Sequence, residues 1–269
     1  MLASCTGQFG ISILGLVQSV LDGQSYEMSD TPSDPVVITS YSELELPAEV
    51  AGDAVVRYSG YVSSYNQQTL IPDWVAYELT ASETDGDEQR GDRQFSMDKR
   101  VKGRQAMRED YYDSGWTKGH MAPASDFRWS ETAMDETFYF TNVCPQNEHL
   151  NSKDWEYLER QVRGWADRFG KVWVVTGPII GTNRYGRIGE RGVVVPDSFF
   201  KAVMACKNGK YHSIAFIMDN DNDRYWLNEC AVSVNDVERI TGLDLYPVLD
   251  DSLEESVEDQ VSLSFWGIN

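Results

Sequence analysis

The segment TKGHMAPASDF, residues 117–127, contains His120, one of three histidines in the chain. A glycine precedes this histidine, and small residues with a proline and an aspartate follow it, which is typical of a turn. An imidazole with an ordinary pKa of about 6.5 can accept a proton at neutral pH, so His120 is a candidate general base. A histidine in a turn can also serve only as a local hydrogen-bonding group, and this segment alone leaves both roles open.

Two further candidate site residues, Asn151 and Glu159, lie in NSKDWEYLERQVRGWADRFG, residues 151–170. This segment is predicted to form one amphipathic helix. Asn151 or Ser152 supplies the N-cap of this helix, and Gly170 ends it. Its large apolar residues recur at alternating steps of three and four, at Trp155, Leu158, Val162, Trp165 and Phe169.

Asn151 and Glu159 share one side of such a helix, because eight residues at 100° each leave them only about 80° apart. An amide oxygen and a carboxylate suit a hard cation such as Mg²⁺, which keeps several waters and takes one or two protein ligands. Each residue also has a more ordinary interpretation. Asn151 could be only the N-cap, and Glu159 could form a surface ion pair with Arg163.

Taken together, these segments resemble the signature of the sugar-nonspecific DNA/RNA endonucleases, a family with a ββα-metal site to which mitochondrial endonuclease G is related. That signature is GH followed by small residues and proline, then N-x-x-PQ, then LN-x₃-W-x₂-LE. The fixed elements of its later part are all present in TNVCPQNEHLNSKDWEYLE, residues 141–159. The resemblance extends over roughly residues 52–248 and includes WVAYELT, RQFSMD, TGPI, VPDSFFKAV and TGLD.

The resemblance implies a role for each candidate residue. His120 would be the general base, and Asn142 would support the site from the end of a strand. Asn151 would be the one direct protein ligand of Mg²⁺, for which Mn²⁺ could substitute, and Glu159 would hold metal-bound waters. Arg93, in RQFSMD, would reach the scissile phosphate. The alternative for Arg93 is an ordinary surface arginine in a charged loop.

The chain departs from the family pattern just before His120, where Thr117 and Lys118 replace the usual Asp-Arg pair. We include Lys118 among the catalytic candidates, because lysine keeps the positive charge. It loses the bidentate geometry of arginine, which affects the expected rate and substrate preference.

The loop NRYGRIGERG, residues 183–192, interleaves basic and aromatic residues. Its arginines, Arg184, Arg187 and Arg191, could follow a nucleic-acid strand. The alternative is a flexible, solvated connection between two elements.

The predicted strands and helices that carry these residues indicate an α+β fold. Strands are predicted at 54–66, 73–82, 138–143, 171–180 and 213–220, and further helices at 233–244 and 249–260, without a βαβ rhythm. The resemblance implies a ββα-metal nuclease fold with a central antiparallel sheet flanked by helices. We expect residues 1–45 to form an N-terminal segment or linker and residues 46–269 to form the nuclease domain.

The formal net charge of −20 at pH 7 argues against a nucleic-acid partner, since phosphate binding depends on Lys and Arg. Alternatively, the acidic charge only keeps the protein soluble. If nucleic acid is the substrate, a metal ion and local arginines must attract phosphate, and binding should weaken early as salt rises.

The four cysteines show no CxxC pair and no zinc-ligand spacing. Cys144 is expected to pack as a small buried residue, and Cys206 and Cys230 could be bridged in an oxidising compartment. LASC, residues 2–5, has the form of a bacterial lipoprotein processing site. It predicts lipidation of Cys5, membrane anchoring and an extracytoplasmic location at a bacterial surface, or secretion. The alternative is a chance match of four residues.

The resemblance implies a Mg²⁺-dependent endonuclease that cleaves DNA and RNA without sequence preference and leaves 5′-phosphate ends. The alternative is a catalytically silent relative that binds nucleic acid or a partner protein. A zinc hydrolase is excluded, because the sequence has no HExxH motif.

Overall fold

The computed structural model describes residues 41–48 and 54–269. Strands in this part of the chain are β1 Ala54–Arg57, β2 Val62–Asn66, β3 Ile71–Thr80, β4 Thr117–His120, β5 Val143–Gln146, β6 Lys171–Ile179, β7 Arg187–Ile188, β8 Val193–Val194, β9 Ser198–Lys207, β10 Lys210–Asp219 and β11 Ala231–Val232. The α-helices are α1 Ala81–Thr84, α2 Glu131–Glu136, α3 Glu148–Ser152, α4 Asp154–Phe169, α5 Leu227–Cys230, α6 Val234–Thr241, α7 Asp251–Glu258 and α8 Leu263–Trp266.

The central sheet has seven strands in the order β1-β2-β3-β6-β9-β10-β11, and all neighbouring strands are antiparallel. Two small sheets, β4 with β5 and β7 with β8, are separate from it. Helices α4, α6 and α7 all contact strands of the central sheet. The prediction of an α+β fold with a central antiparallel sheet flanked by helices is therefore confirmed.

Apolar side chains cover both faces of the central strands, because alternate residues point to opposite sides. On β3, Val75 and Tyr77 belong to one buried cluster, whereas Trp74 and Ala76 belong to the other. The first cluster contains the buried stripe of α4, and the second lies beneath α6 and α7. A sheet buried on both faces gives its strands nearly continuous apolar runs, which explains why strict alternation is weak in the sequence.

The helix predicted at 151–170 is two helices. Lys153, with φ −128° and ψ −84°, separates α3 from α4. Asn147 caps α3 by accepting hydrogen bonds from the backbone amides of His149 (2.8 Å) and Leu150 (3.3 Å). Asn151 is therefore not an N-cap but lies in the last turn of α3.

Three further elements differ from the predictions. Residues 54–66 form two strands and a turn, closed by a hydrogen bond from the Tyr58 amide to the Tyr61 carbonyl. In the predicted strand at 138–143, a 3₁₀ turn at Phe140–Asn142 precedes β5. The acidic tail forms α7 as expected, but its end is not solvated, since Val257 and Glu258 are buried.

Cys144, Cys206 and Cys230 are free thiols. Cys206 pairs with Tyr211 near one end of β10, while Ala231, next to Cys230, pairs with Phe216 on the other side of that strand. Five residues of strand alone span roughly 17 Å, so a bond between these two cysteines is excluded. Cys5 lies outside the described residues, and no helix within them is long and apolar enough to cross a bilayer.

Candidate active site

Lys118, His120, Asn151 and Glu159 lie on a ββα unit formed by β4, β5 and the α3–α4 pair, and Asn142 immediately precedes β5. In the β4–β5 ladder, Thr117 is opposite Gln146 and His120 is opposite Val143. The chain then passes from β5 through the cap Asn147 directly into α3. This arrangement brings the end of one strand and the beginning of a helical segment to one place, although they are about thirty residues apart in the sequence.

A cleft of about 450 Å³ opens at this unit, and His120, Asn151 and Glu159 all line it. The structure thus brings together the three residues that the sequence predicts to share one site. The cleft also contains two guanidinium groups and several acidic or small residues that sequence reasoning did not select, namely Glu88, Gln89, Arg90, Pro123, Ala124, Ser125, Arg128, Met134, Ser152 and Glu156.

The His120 ring packs between two aromatic rings, with centroids 5.0 Å from Phe95 and 5.1 Å from Phe138. Its Nε2 atom is buried and has no hydrogen-bond partner among the described residues, which leaves Nδ1 as the nitrogen accessible from the cleft. Burial, followed by the positive charge of Arg90, lowers the pKa of His120 from 6.5 to about 3. The imidazole is therefore neutral at physiological pH, as a general base must be.

Asn142 is fully buried and does not line the cleft. Its Nδ2 donates to the carbonyls of Ala122 (2.8 Å) and Thr137 (2.9 Å), and its Oδ1 accepts from the Ala122 amide (2.8 Å). The backbone carbonyl of Asn142 also accepts from the amide of Met121, the residue after His120. Asn142 thus fixes the turn that follows the candidate base, which agrees with a supporting role.

The Asn151 side chain is held on one side only. Its Nδ2 donates to Oγ1 of Thr117 at 3.0 Å, and no donor among the described residues reaches its Oδ1. Asn151 and Glu159 thus supply an amide oxygen and a carboxylate to the same cleft. Nowhere in residues 41–48 and 54–269 do three or more His, Cys, Asp or Glu side chains form a group that could hold a metal. Such a sparse oxygen donor set fits Mg²⁺, which retains much of its water, better than zinc.

Behind Glu159 lies Lys201, a fully buried lysine that the sequence analysis did not select. Its Nζ donates to the Met121 carbonyl at 3.3 Å and lies 4.9 Å from the centre of the Trp155 ring. Burial raises the pKa of Glu159 and lowers that of Lys201, and the attraction between the two charges opposes both shifts. The signal in the sequence was a charged residue inside the apolar strand FFKAVMA.

The ion pair with Arg163, the alternative interpretation of Glu159, is not formed. Arg163 instead donates to Oδ1 of the fully buried Asp126 at 2.7 Å, and Oδ2 of Asp126 accepts from the Tyr77 hydroxyl at 2.8 Å. These three side chains form a satisfied polar network beside the cleft. Glu159 is consequently left for the cleft.

Arg93 does not line the cleft. Its Nε donates to Asp135 at 2.5 Å, and it lies 3.9 Å from Glu88. Arg90 and Arg128 do line the cleft, with Arg90 stacked 5.2 Å from the Phe138 ring centre and Arg128 donating to the Glu88 carbonyl at 3.0 Å. Arg90 and Arg93 lie three residues apart in one charged loop, and the sequence alone does not show which of them faces the cleft.

Lys118 also lies away from the cleft. Its Nζ is 5.0 Å from the Tyr111 ring centre, and burial with the nearby charge of Arg108 lowers its pKa. It lies on the same face of β4 as His120, because alternate residues of a strand share a face.

The three loop arginines are each bound by their own surroundings. Arg184 donates to the Asp197 carbonyl at 3.1 Å, Arg187 to the carbonyls of Gln68 and Gly192, and Arg191 lies 3.7 Å from Asp110. They do not line the cleft, and the structure does not bring them to His120.

Comparison with known proteins extends this description. The family model described as DNA/RNA non-specific endonuclease matches residues 45–252. The mouse protein named "Nuclease EXOG, mitochondrial" is 33% identical over 86% of this chain and 67% of its own length. The human protein named "Endonuclease G, mitochondrial" is 34% identical over 70% of this chain and 67% of its own. This chain spans only 60% of the length of the zebrafish EXOG protein and 57% of the length of the human one.

A solved structure of an EndoG/EndoGI complex contains a chain with the same fold, with a TM-score of 0.69, 30% identity, and coverage of 74% of this chain and 87% of that one. The location predicted from the LASC motif, at a bacterial surface or outside the cell, is wrong, because the relatives are named as mitochondrial nucleases. Membrane anchoring likewise finds no support in these relatives. With a matching family model over most of its length and with the ββα unit in place, the chain belongs to the DNA/RNA non-specific endonuclease family, whose members are metal-dependent nucleases that hydrolyse phosphodiester bonds.

Proposed function

We propose that this protein is a Mg²⁺-dependent endonuclease that hydrolyses DNA and RNA without sequence preference and leaves 5′-phosphate ends. The observation that supports it most is the cleft that combines a neutral His120, a free amide oxygen of Asn151 and the carboxyl group of Glu159, whose ionised form a bound cation would favour. A base and oxygen ligands in one cleft are what metal-assisted attack of water on phosphate requires.

His120 removes the proton from the attacking water. Nδ1 is the ring nitrogen accessible from the cleft, and the lowered pKa keeps it unprotonated. The rings of Phe95 and Phe138 hold the imidazole in place and exclude water from its other side. A fixed orientation of the base contributes to rate because the reacting atoms need no further ordering.

Asn151 would hold Mg²⁺ directly through Oδ1, and Glu159 would orient waters of its hydration shell. When bound, the ion supplies positive charge next to the phosphate and the departing 3′ oxygen. Mn²⁺ prefers similar oxygen ligands and should replace it.

Arg90 and Arg128 bind the substrate phosphate, since both guanidinium groups line the cleft that contains the base. Their planar donors match phosphate oxygens. Arg93 holds the same loop through Asp135 and acts at most indirectly. These local cations compensate within the cleft for the net charge of −20.

The silent binding protein is supported only by the Thr117-Lys118 departure and the net charge of −20. A binding module needs neither an unprotonated imidazole nor a free amide oxygen directed at the same cleft, and this chain has both.

The test compares wild type, His120→Ala and His212→Ala on supercoiled plasmid and on total RNA, each with Mg²⁺, Mn²⁺ or EDTA. His212 is the matched control, because it lies on β10 and stacks 3.8 Å from Phe265 rather than in the cleft. We expect wild type and His212→Ala to degrade both substrates only with a divalent ion. His120→Ala should lose at least about a hundredfold, as is typical of a lost general base.

An inactive wild type with every ion would overturn the proposed function, and an active His120→Ala would overturn the assignment of the base. The ends are tested by labelling with polynucleotide kinase. 5′-phosphate ends accept label only after phosphatase treatment, and label accepted without that treatment contradicts the proposed cleavage position.

A further inference from the structure

We propose that Thr117 is a positioning residue, whose hydroxyl holds the Asn151 amide so that Oδ1 faces the cation. The proposal rests on the metal role of Asn151 in the proposed function. Its basis is a chain of two hydrogen bonds, from Asn151 Nδ2 to Thr117 Oγ1 (3.0 Å) and from Thr117 Oγ1 to the Gln146 carbonyl (2.8 Å).

The chemistry of this chain fixes the orientation of the amide. A carbonyl can only accept, so the single proton of the Thr117 hydroxyl is used by Gln146. Towards Asn151 the hydroxyl can then only accept, and its partner must be the NH₂ end of the amide. The amide oxygen is thereby directed away from the strand, and a flipped amide would leave the oxygens of Asn151 and Thr117 facing each other without a proton between them.

The free end of the amide is the one that the cleft needs. Asn151 lines the cleft with His120 and Glu159, and its Oδ1 has no donor among the described residues. An amide presenting NH₂ instead would direct partial positive charge at the cation. The hydrogen bond to Thr117 therefore selects the orientation that can bind a metal.

The location of Asn151 explains why a hydrogen bond to Thr117 is needed to fix its side chain. It lies in the last turn of α3, a helix of five residues, immediately before the break at Lys153. Thr117 is the first residue of β4 and pairs with Gln146 in the ladder, so its hydrogen bond to Asn151 joins the end of the helix to a fixed strand. The branched side chain of threonine has a restricted χ1 rotation, which fixes the position of the acceptor.

Thr117 is one of the two residues at which the chain departs from the Asp-Arg pair of the family signature. A carboxylate could accept from Asn151 but could not donate to the Gln146 carbonyl. Threonine does both without adding a charge next to the ligand. The departure thus retains an acceptor for Asn151, and metal binding should not be lost through it.

The experiment measures Mn²⁺ binding to the full chain without substrate, from the electron paramagnetic resonance signal of free Mn²⁺. The variants are Thr117→Val, Thr117→Ser and Asn151→Ala. The matched control is Thr241→Val, because Thr241 Oγ1 also donates to a carbonyl, that of Val237 at 2.8 Å, and accepts from an amide, that of Leu243 at 3.2 Å, on α6.

We expect Thr117→Val to raise the Kd for Mn²⁺ on the order of tenfold, as is typical when a partner of a metal ligand is removed. Thr117→Ser and Thr241→Val should remain within about threefold of wild type, since the first keeps the hydroxyl and the second lies elsewhere. Activity of Thr117→Val should recover towards the wild-type kcat at high Mg²⁺, because the loss lies in metal affinity. The side-chain NH₂ resonances of Asn151 should shift in Thr117→Val without any metal.

Unchanged Mn²⁺ affinity in Thr117→Val, with Asn151→Ala defective, would overturn only the role of Thr117. Equal losses in the serine and valine variants would overturn the role of the hydroxyl. If Asn151→Ala binds Mn²⁺ as wild type does, or wild type binds none, the metal site of the proposed function fails, and the proposal for Thr117 fails with it.

Discussion

Arg90 lies in the same cleft as His120, and its positive charge adds to burial in lowering the pKa of that histidine. One guanidinium group can therefore serve two steps, since in the proposed function it binds phosphate and its charge also disfavours protonation of the base. The cation also stacks on Phe138, whose ring contacts His120. The two residues are coupled electrostatically and through a shared aromatic neighbour.

His120 should titrate far below an ordinary histidine. Its pKa is lowered to about 3, so between that value and 6.5 the unfolded chain binds a proton that the folded chain does not. The free energy of unfolding should consequently decrease as pH falls from 6.5, and the acidic limb of activity should lie below the usual histidine range. Nuclear magnetic resonance of the histidine Cε1–H groups measures this, and His149→Gln and His212→Gln assign the signals. A His120 pKa near 6.5 in the folded protein would contradict the burial argument.

Substitution of the two arginines of the charged loop should separate their roles. Arg90→Gln should lower kcat/KM by about tenfold to a hundredfold, since a phosphate contact in the cleft is lost, and should raise the pKa of His120. Arg93→Gln should change kcat/KM much less, because Arg93 is paired with Asp135 outside the cleft. Steady-state kinetics of both variants on one oligonucleotide decide the matter. A larger loss in Arg93→Gln than in Arg90→Gln would restore the role first expected of Arg93.

Cleavage should weaken strongly with salt. The chain carries a net charge of −20, so attraction of nucleic acid depends on a few local cations whose effect is screened over about 8–10 Å at physiological ionic strength. We expect kcat/KM to fall steadily when KCl is raised at constant Mg²⁺, mostly through KM. A kcat/KM that does not change with salt would show that the cleft does not rely on phosphate attraction.

The sequence was sufficient for the parts of the site that depend on residue type and local spacing. His120, Asn151 and Glu159 have side chains that suit a base and a hard-cation site, and they do meet in one cleft. The apolar stripe of α4 is buried as its period predicts. Both results follow from short-range patterns, which a sequence displays directly.

The parts that local sequence patterns do not show depend on long-range or backbone geometry. The break at Lys153 is a local conformation that the continuous apolar stripe conceals. Arg90 lines the cleft and Arg93 does not because of how one loop folds against Phe138 and Asp135, residues more than forty positions away. Lys201 acts on the pKa of Glu159 only because β9 packs against α4, and no local sequence pattern shows this contact.

Gly119 should not tolerate a side chain. A Cβ built there would lie 2.0 Å from Oε1 of the fully buried Gln146, within the β4–β5 pair that carries His120. Gly119→Ala should therefore displace the base and destabilise the fold by about 1–3 kcal/mol, a typical cost of overpacking. Gly164→Ala in α4 is the control, because its Cβ meets nothing within 4 Å and should stabilise the helix slightly. Urea unfolding and plasmid nicking measure both. A fully active, stable Gly119→Ala would show that β4 and β5 can separate without consequence.

The buried ion pair of Asp126 and Arg163 should contribute more to the free energy of unfolding than the exposed ion pairs of the same helix. Asp126 is fully buried, and Arg163→Met would leave its carboxylate without the guanidinium partner, at a cost of about 3–5 kcal/mol in the free energy of unfolding. The double variant Asp126→Asn/Arg163→Met should recover part of this loss, because the stranded charge is removed as well. Arg160→Met is the control on the same helix, since Arg160 pairs with Glu156 at the exposed surface, where ion pairs contribute little. Urea denaturation at pH 7 compares the three variants. If Arg163→Met lowers the free energy of unfolding no more than Arg160→Met does, water reaches Asp126. The hydrogen bonds of Asp126 would then not explain why Arg163 does not pair with Glu159.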